Sequence, residues 1–151
     1  MTNVRLEPMT AEQYQAWRAA AEAHYTRSLT ASGQPAEAAA RNSATTYTRL
    51  LPDGQKTPDH HFWYAYDGDR RVGFLWLTVT DDAAFVHNIA VEAELRRRGY
   101  GRAIMRAGER WCRDNGLTRI GLHVFAHNTG ARALYEQLGF TETGRNLAKA
   151  L

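Results

Sequence analysis

Cysteine is almost missing from this chain of 151 residues, because Cys112 is the only one. A single thiol excludes an intrachain disulfide and is compatible with a reducing compartment. No run of about 18 apolar residues is present, so we expect no membrane span and no membrane partner. The opening Met-Thr-Asn-Val-Arg-Leu-Glu lacks the apolar core of a signal peptide. These absences together predict a cytoplasmic protein.

Several ligand-binding motifs are missing as well. The chain has no Gly-x4-Gly-Lys-Ser/Thr loop for a nucleoside triphosphate. The dinucleotide fingerprint needs a third small residue after Gly99 and Gly101, and Ile104 stands at that place. His60 and His61 do not belong to a metal-ligand pattern such as His-Glu-x-x-His, so we expect no metal.

The positive charge of the chain is unevenly distributed. The net charge is +3, and residues 92–132 carry nine arginines against four acidic residues. An anionic cofactor near this region explains the excess. A nucleic acid is the alternative, since basic patches attract any polyanion, but no nucleic-acid module is recognisable and we expect no such partner. Arg106, Arg110 and Arg113 fit the solvated face of one helix.

Hydrophobic periodicity and turn residues predict a single domain over residues 1–151. Thr10 and Gln13 have the spacing of a capping box at the start of the first helix. The predicted strands cover residues 4–8, 61–66, 71–80, 84–91, 119–124, 140–143 and 146–149, and the predicted helices cover residues 11–28, 35–51, 101–115 and 128–138. The order is β-αα-βββ-α-β-α-ββ, which indicates an α/β (α+β) fold with a sheet of about seven strands flanked by four helices.

A phosphate-binding loop is the most informative feature of the chain. The apolar strand 86–91 leads to a turn with Arg96, Gly99 and Gly101, and a helix follows directly. Glycines allow the backbone to approach a ligand closely, and the first turn of a helix has unpaired N–H groups at the positive end of its dipole. This combination predicts a site for a phosphorylated ligand.

Two segments resemble the GCN5-related N-acetyltransferase (GNAT) superfamily. Its acyl-CoA pyrophosphate loop reads Gln/Arg-x-x-Gly-x-Gly/Ala, which Arg96, Gly99 and Gly101 match. Its later motif reads Asn-x-x-Ala-x-x-Leu-Tyr-x-x-x-Gly-Phe, which residues 128–140 match at every named position. The resemblance covers residues 72–151. It implies a mixed, mostly antiparallel sheet, an acetyl-CoA-binding core over residues 72–151, and an acceptor site shaped by residues 1–60.

The resemblance implies two groups of residues that bind acetyl-CoA. Backbone groups of the strand before the loop would pair with the pantetheine arm, in the gap where strands 84–91 and 119–124 splay apart. The first group is Ile89, Ala90 and Val91 on that strand and Arg96, Arg97, Arg98, Gly99, Tyr100, Gly101 and Arg102 in the loop. The second is Asn128, Ala131 and Tyr135 in the later motif. The N–H of Ile89 is our candidate for polarising the acetyl carbonyl.

The catalytic acid and base follow from the same resemblance. Tyr135 matches the tyrosine that protonates the departing thiolate in relatives, and a phenol remains protonated at neutral pH. Many relatives carry a glutamate base two residues before the position of Ile89, where this chain has His87. A neutral imidazole is also a competent base. His123 on the facing strand is the rival candidate, and Asp82 is a third.

The expected activity is therefore direct acetyl transfer from acetyl-CoA to a primary amine in a ternary complex. A small-molecule amine is favoured over a peptide N-terminus or a lysine, because the first two helices offer no evident peptide groove. A non-catalytic acyl-CoA-binding regulatory module is the alternative, motivated by the missing strand glutamate. A homodimer is also left open, because many relatives dimerise.

Overall fold

The computed structural model describes residues 2–151, and this part of the chain contains four α-helices and five strands. Along the chain they are β1 (Arg5–Pro8), α1 (Ala11–Ala31), α2 (Ala36–Leu50), β2 (His60–Asp67), β3 (Arg70–Thr80), β4 (Ala83–Val91), α3 (Tyr100–Asp114), β5 (Arg119–Leu122) and α4 (Thr129–Gln137). Short 3-10 turns lie at Gly54–Lys56 and Ala93–Leu95.

The strands form one mixed sheet in the order β1-β2-β3-β4-β5. Neighbours from β1 to β4 are antiparallel, whereas β5 runs parallel to β4. Parallel neighbours need a crossover connection, and α3 supplies it. The predicted α/β class, with four helices and a mixed sheet, is confirmed.

The predicted number of strands is wrong. We expected about seven, and residues 2–151 form five. The segments 140–143 and 146–149, predicted as the last two strands, form none, and residues 141–151 are exposed throughout. β5 also ends at Leu122, two residues before its predicted end. Residue preference alone does not hold a strand, because an isolated two-stranded hairpin is marginally stable at best in water.

Two different side-chain layers cover the two faces of the sheet. Alternate residues of β3 supply both, since Leu75 and Leu77 point to one face and Trp76 to the other. The layer under α3 is mostly aliphatic and includes Val72, Leu75, Leu77, Val86, Leu95, Ile104 and Met105. The layer under α1 and α2 is mostly aromatic and includes Tyr14, Trp17, Tyr47, Phe62, Tyr64 and Trp76.

Local sequence features fix the positions of the helices. The predicted capping box at α1 is confirmed, because the Gln13 N–H donates to Thr10 Oγ1 at 3.1 Å and the Thr10 N–H donates to Gln13 Oε1 at 2.9 Å. Gly108 lets α3 lie close to the sheet, since a Cβ there would be only 2.8 Å from Leu75 Cδ2.

Candidate active site

β4 separates from β5 half-way along its length. The two strands pair from Ala83 with Arg119 to Val86 with Leu122, and β4 then continues to Val91 beside β3 alone. Leu77 pairs with Val86 and Trp76 with Asn88, so His87 is the extra residue of a β-bulge. Beyond the bulge, one backbone edge of β4 has no partner strand within residues 2–151. Alternate residues there direct their N–H and C=O groups into the gap between the strands.

The loop after β4 turns sharply before α3 begins. Leu95 is almost fully buried and anchors the turn, whereas Arg96, Arg97 and Arg98 are exposed. Arg97 and Gly99 have left-handed backbone conformations, with φ of 64° and 83°. The left-handed region suits glycine, which has no Cβ to clash.

The N-terminus of α3 has free backbone donors. The Ala103 N–H donates to the carbonyl of Gly99, the residue before the helix, at 3.1 Å. No side chain caps the helix. The N–H groups of Tyr100, Gly101 and Arg102 therefore lack the helical acceptors available further along the helix. With the helix dipole and three nearby arginines, they form an electropositive site suited to a phosphate group.

Two side-chain bonds fix this helix end. The Tyr100 hydroxyl donates to Asp67 Oδ2 at 2.6 Å, which ties it to the end of β2. The Arg102 guanidinium donates to Gln137 Oε1 at 2.6 Å, which ties it to the end of α4. Gly101 favours this close approach of α4, because a Cβ there would lie 3.3 Å from Leu134 Cδ2. The start of α3 is therefore held by hydrogen bonds to β2 and to α4.

Tyr135 lies on α4, on the same side of the sheet as the loop. It is half-buried against the aliphatic layer, and its ring lies 5.7 Å from that of Phe140. Burial raises the pKa of the Tyr135 phenol, so it remains protonated at neutral pH. Asn128 caps this helix by accepting a 3.2 Å bond from the Ala131 N–H.

His87 lies in the aromatic layer on the other side. Its ring stacks on Trp76 at a centroid distance of 4.5 Å and on His60 at 5.5 Å, with Phe85 at 4.9 Å. Its Nε2 atom is buried and has no hydrogen-bond partner among the described residues. Burial, and secondarily the nearby His60, lower the pKa of His87 to about 4. His87 is therefore a neutral imidazole at physiological pH.

His60 is held in one protonation form by its neighbour. The Trp76 indole N–H donates to His60 Nδ1 at 3.0 Å, so this nitrogen is unprotonated. Burial also lowers the pKa of His60. From the sequence, His60 is considered only with respect to metal binding, and its stack with Trp76 and His87 is not predicted. These side chains meet because a bulge shifts the register between β3 and β4, and nothing distinctive in the sequence marks that bulge.

The other two base candidates lie apart from this stack. His123 follows the end of β5, is exposed, and has its ring 5.1 Å from Phe125. Phe125 in turn lies 6.2 Å from Tyr25 of α1, so this segment faces the first helix. Asp82 precedes β4, at the strand end opposite the loop, and accepts a 2.7 Å bond from the Thr118 hydroxyl. Asp82 therefore already has a hydrogen-bond partner, and it lies at the end of β4 away from the loop.

Residues 2–151 lack two further features. No group of three or more His, Cys, Asp or Glu side chains is arranged to hold a metal ion. No helix in this range combines the length and the apolar character needed to cross a bilayer.

Comparison with known proteins assigns the family. The model of the Acetyltransferase (GNAT) family matches residues 13–140. The uncharacterized N-acetyltransferase YycN of Bacillus subtilis (strain 168) is 33% identical over 98% of this chain and 99% of its own length. The crystal structure of YycN has a TM-score of 0.94 and covers 99% of both chains. The chain belongs to the GNAT acetyltransferase family, which confirms the resemblance found in the sequence.

Two more distant relatives have different stated acceptors. A mycothiol acetyltransferase of Corynebacterium efficiens is 34% identical over 56% of this chain and 29% of its own length. A [ribosomal protein bS18]-alanine N-acetyltransferase of Salmonella typhimurium is 39% identical over 49% of this chain and 50% of its own length. The shared family therefore leaves the acceptor open.

Proposed function

We propose that this protein transfers an acetyl group from acetyl-CoA to a primary amine by direct attack in a ternary complex. The carrying observation is the free edge of β4, which runs into an uncapped helix N-terminus with Tyr135 on the adjacent helix. Family membership supports the acetyl transfer. The proposal adds three points to family membership: the cosubstrate, the roles of the residues and the acceptor.

The loop from Arg96 to Arg102 binds the pyrophosphate of acetyl-CoA through backbone N–H groups. Left-handed Arg97 and Gly99 turn the chain toward the ligand, and the unpaired N–H groups at the start of α3 meet the phosphate oxygens. The exposed guanidinium groups of Arg96, Arg97 and Arg98 add long-range attraction for the anion. Asn128 and Ala131 at the start of α4 border the pantetheine arm.

The free edge of β4 positions the thioester. In the segment Ile89, Ala90 and Val91, backbone groups alternate between β3 and the gap, and those that face the gap pair with the pantetheine amides. The Ile89 N–H polarises the acetyl carbonyl and stabilises the oxyanion that forms when the amine attacks. The C–S bond then breaks, and the Tyr135 hydroxyl protonates the leaving thiolate. The raised pKa of Tyr135 supports this role as an acid.

The proposal assigns different roles to the two candidate histidines. With a pKa of about 4, His87 holds a proton only weakly at pH 7. Its buried and unpartnered Nε2 is suited to accept a hydrogen bond from the incoming amine and orient it. His123, exposed beside Phe125, is in contact with water and takes the proton onward. His87 is thus an orienting acceptor, and His123 is the base.

The acceptor is a small-molecule amine. The aromatic layer encloses His87 with Trp76 and His60, and this gives a compact apolar wall. The alternative is a regulatory module that binds acyl-CoA without turnover. The weak basicity of His87 favours this alternative, whereas the protonated Tyr135 on the loop side of the sheet favours the enzyme.

Calorimetric titration with acetyl-CoA, combined with a thiol-release assay over a mixed amine library, tests the proposal. Binding followed by CoA release with one class of amines supports the enzyme and identifies the acceptor. Binding without release on any amine supports the regulatory module. Absence of binding rejects the assignment of the loop.

The two histidines are separated by the kinetics of their alanine variants. His123→Ala should lower kcat across the neutral range, because the group that accepts the amine proton is lost. His87→Ala should raise the KM for the amine more than it lowers kcat, because its role is orientation. The reverse pattern would return the base role to His87.

A further inference from the structure

Phe85 is the side chain of the sheet with a large uncovered apolar surface. Its exposed fraction is 39%, and the other two exposed large hydrophobic side chains of residues 2–151, Leu147 and Leu151, follow the last helix. The aromatic layer under α1 and α2 is otherwise covered, and Trp76 and Phe62 in it are almost fully buried. This face of the sheet is therefore open to solvent where β4 borders β5.

Gly121 leaves a depression beside the Phe85 ring. It pairs with Phe85 across β4 and β5, and a Cβ added to Gly121 would lie 3.9 Å from Phe85 Cδ2 with no other contact within 4 Å. A larger side chain at this position would cover the part of the ring that is nearest to β5. Because glycine stands there, that part of the ring remains accessible to a ligand.

The positions around Phe85 on this face of the sheet have no charged side chain. Thr78 of β3 and Gly121 of β5 pair with Phe85, and the Thr78 hydroxyl already donates to a backbone carbonyl at 3.2 Å. Ala83 and His87 lie two residues from Phe85 along β4, on the same face. His87 is neutral at physiological pH, because its pKa is about 4. Such surroundings favour an apolar group over a second ammonium group or an anion.

His87 links this open surface to the acceptor site. The rings of Phe85 and His87 have their centroids 4.9 Å apart and an interplanar angle of 68°. The Nε2 atom of His87 is buried and has no hydrogen-bond partner among the described residues. An amine that donates a hydrogen bond to this atom can therefore place a substituent beside Phe85 when a chain of about two or three carbon atoms joins the two groups.

We propose that the depression between Phe85 and Gly121 binds an aryl group of the acceptor, which is a primary amine with an aryl ring on a short alkyl chain. This inference rests on the proposed function, because it gives the chemical class of the amine that His87 orients. An aryl ring makes an edge-to-face or offset contact with Phe85, which adds to the gain from burying apolar surface. The nitrogen and the ring of one substrate thus contact two adjacent side chains of β4.

Kinetics with a pair of amines test this subsite. 3-Phenylpropylamine and propylamine differ only in the aryl group, and CoA release is measured with each at saturating acetyl-CoA. We expect kcat/KM to be at least about tenfold higher for 3-phenylpropylamine, mainly through a lower KM. Equal values, or release only with other amines, would overturn the aryl subsite and leave acetyl transfer in place. Bound acetyl-CoA without release on any amine would overturn the proposed function, and this inference with it.

Substitutions at the two residues of the depression locate the aryl group. Phe85→Ala removes the ring and Gly121→Val fills the depression, so each should reduce the preference for 3-phenylpropylamine to about threefold or less. Gly144→Val is the matched control, because Gly144 also lacks a positive φ and has open space around it outside the sheet. Calorimetric titration should give the wild-type acetyl-CoA affinity for all three variants, which separates loss of the subsite from loss of the fold. An unchanged preference in Phe85→Ala or Gly121→Val would overturn the proposal.

Discussion

The candidate sites on the two faces of the sheet are built in different ways. On the α3 face, the candidate cofactor site consists of backbone N–H groups in a glycine-bearing turn and at a helix end. On the α1 and α2 face, the candidate acceptor site consists of stacked side chains, including His60, Trp76 and His87. The first site depends on the shape of the main chain, and the second depends on which side chains meet.

This difference explains how mutations should act on each side. A backbone site tolerates most side chains but fails when a Cβ or a charge enters the turn. A substitution in a side-chain site leaves the backbone unchanged. It alters the polarity, the shape or the proton affinity of the site. Changes on the cofactor side should therefore affect acetyl-CoA affinity, and changes on the aromatic side should affect amine KM and pH dependence.

Gly99→Glu should have the largest effect, a loss of measurable acetyl-CoA affinity. Gly99 has φ of 83° and directly precedes α3, so the glutamate adds strain, bulk and negative charge where the pyrophosphate is expected. Calorimetric titration measures the loss. Gly116→Glu is the matched control, because Gly116 has φ of 76° and open space around it at the other end of α3. Equal affinity loss in both variants would show that strain, not the loop, is responsible.

Tyr135→Phe should have the next largest effect, a reduction of kcat by about a hundredfold or more, as expected when a general acid is removed. The half-buried ring remains in place, so acetyl-CoA affinity should change little. Steady-state kinetics and titration separate the two quantities. Tyr66→Phe makes the same chemical change on β2 and should leave kcat near wild type. A fall in affinity that matches the fall in kcat would make Tyr135 a binding residue.

The sequence was informative about the cofactor side because its signals are local. Arg96, Gly99 and Gly101 lie within six residues, and residues 128–140 form one continuous segment, so resemblance to the motifs of the family identified both. The aromatic side was not predictable in the same way. His60, Trp76 and His87 come from three strands and meet only through the β3–β4 register and the bulge at His87. The strand count failed for a related reason, because the β preference of residues 140–149 does not specify a pairing partner.

The smallest of the three effects is a dependence of stability on pH. Its direction follows from the low pKa of His87. In the unfolded chain a histidine titrates near pH 6.5, whereas folded His87 titrates at about 4. Above pH 6.5 the imidazole is neutral in both states and has no effect on stability. As the pH falls below 6.5, the unfolded state binds a proton that the folded state does not. The free energy of unfolding therefore decreases until about pH 4.

Urea denaturation of wild type and His87→Phe between pH 7 and pH 5 measures this contribution. A difference of 1.5 pH units corresponds to about 2 kcal/mol, so wild type should lose roughly that much more stability than the variant by pH 5. His60 and His61 also have lowered pKa values and remain in both proteins, so the difference isolates His87.

Phe74→Leu is the control, because it weakens the same aromatic layer without removing a titratable group. The stability of this variant should be lower than that of wild type at every pH, with the same dependence on pH. Parallel curves for wild type and His87→Phe would mean that His87 is solvated, and the acceptor wall on the aromatic side would then lose its buried, neutral hydrogen-bond acceptor.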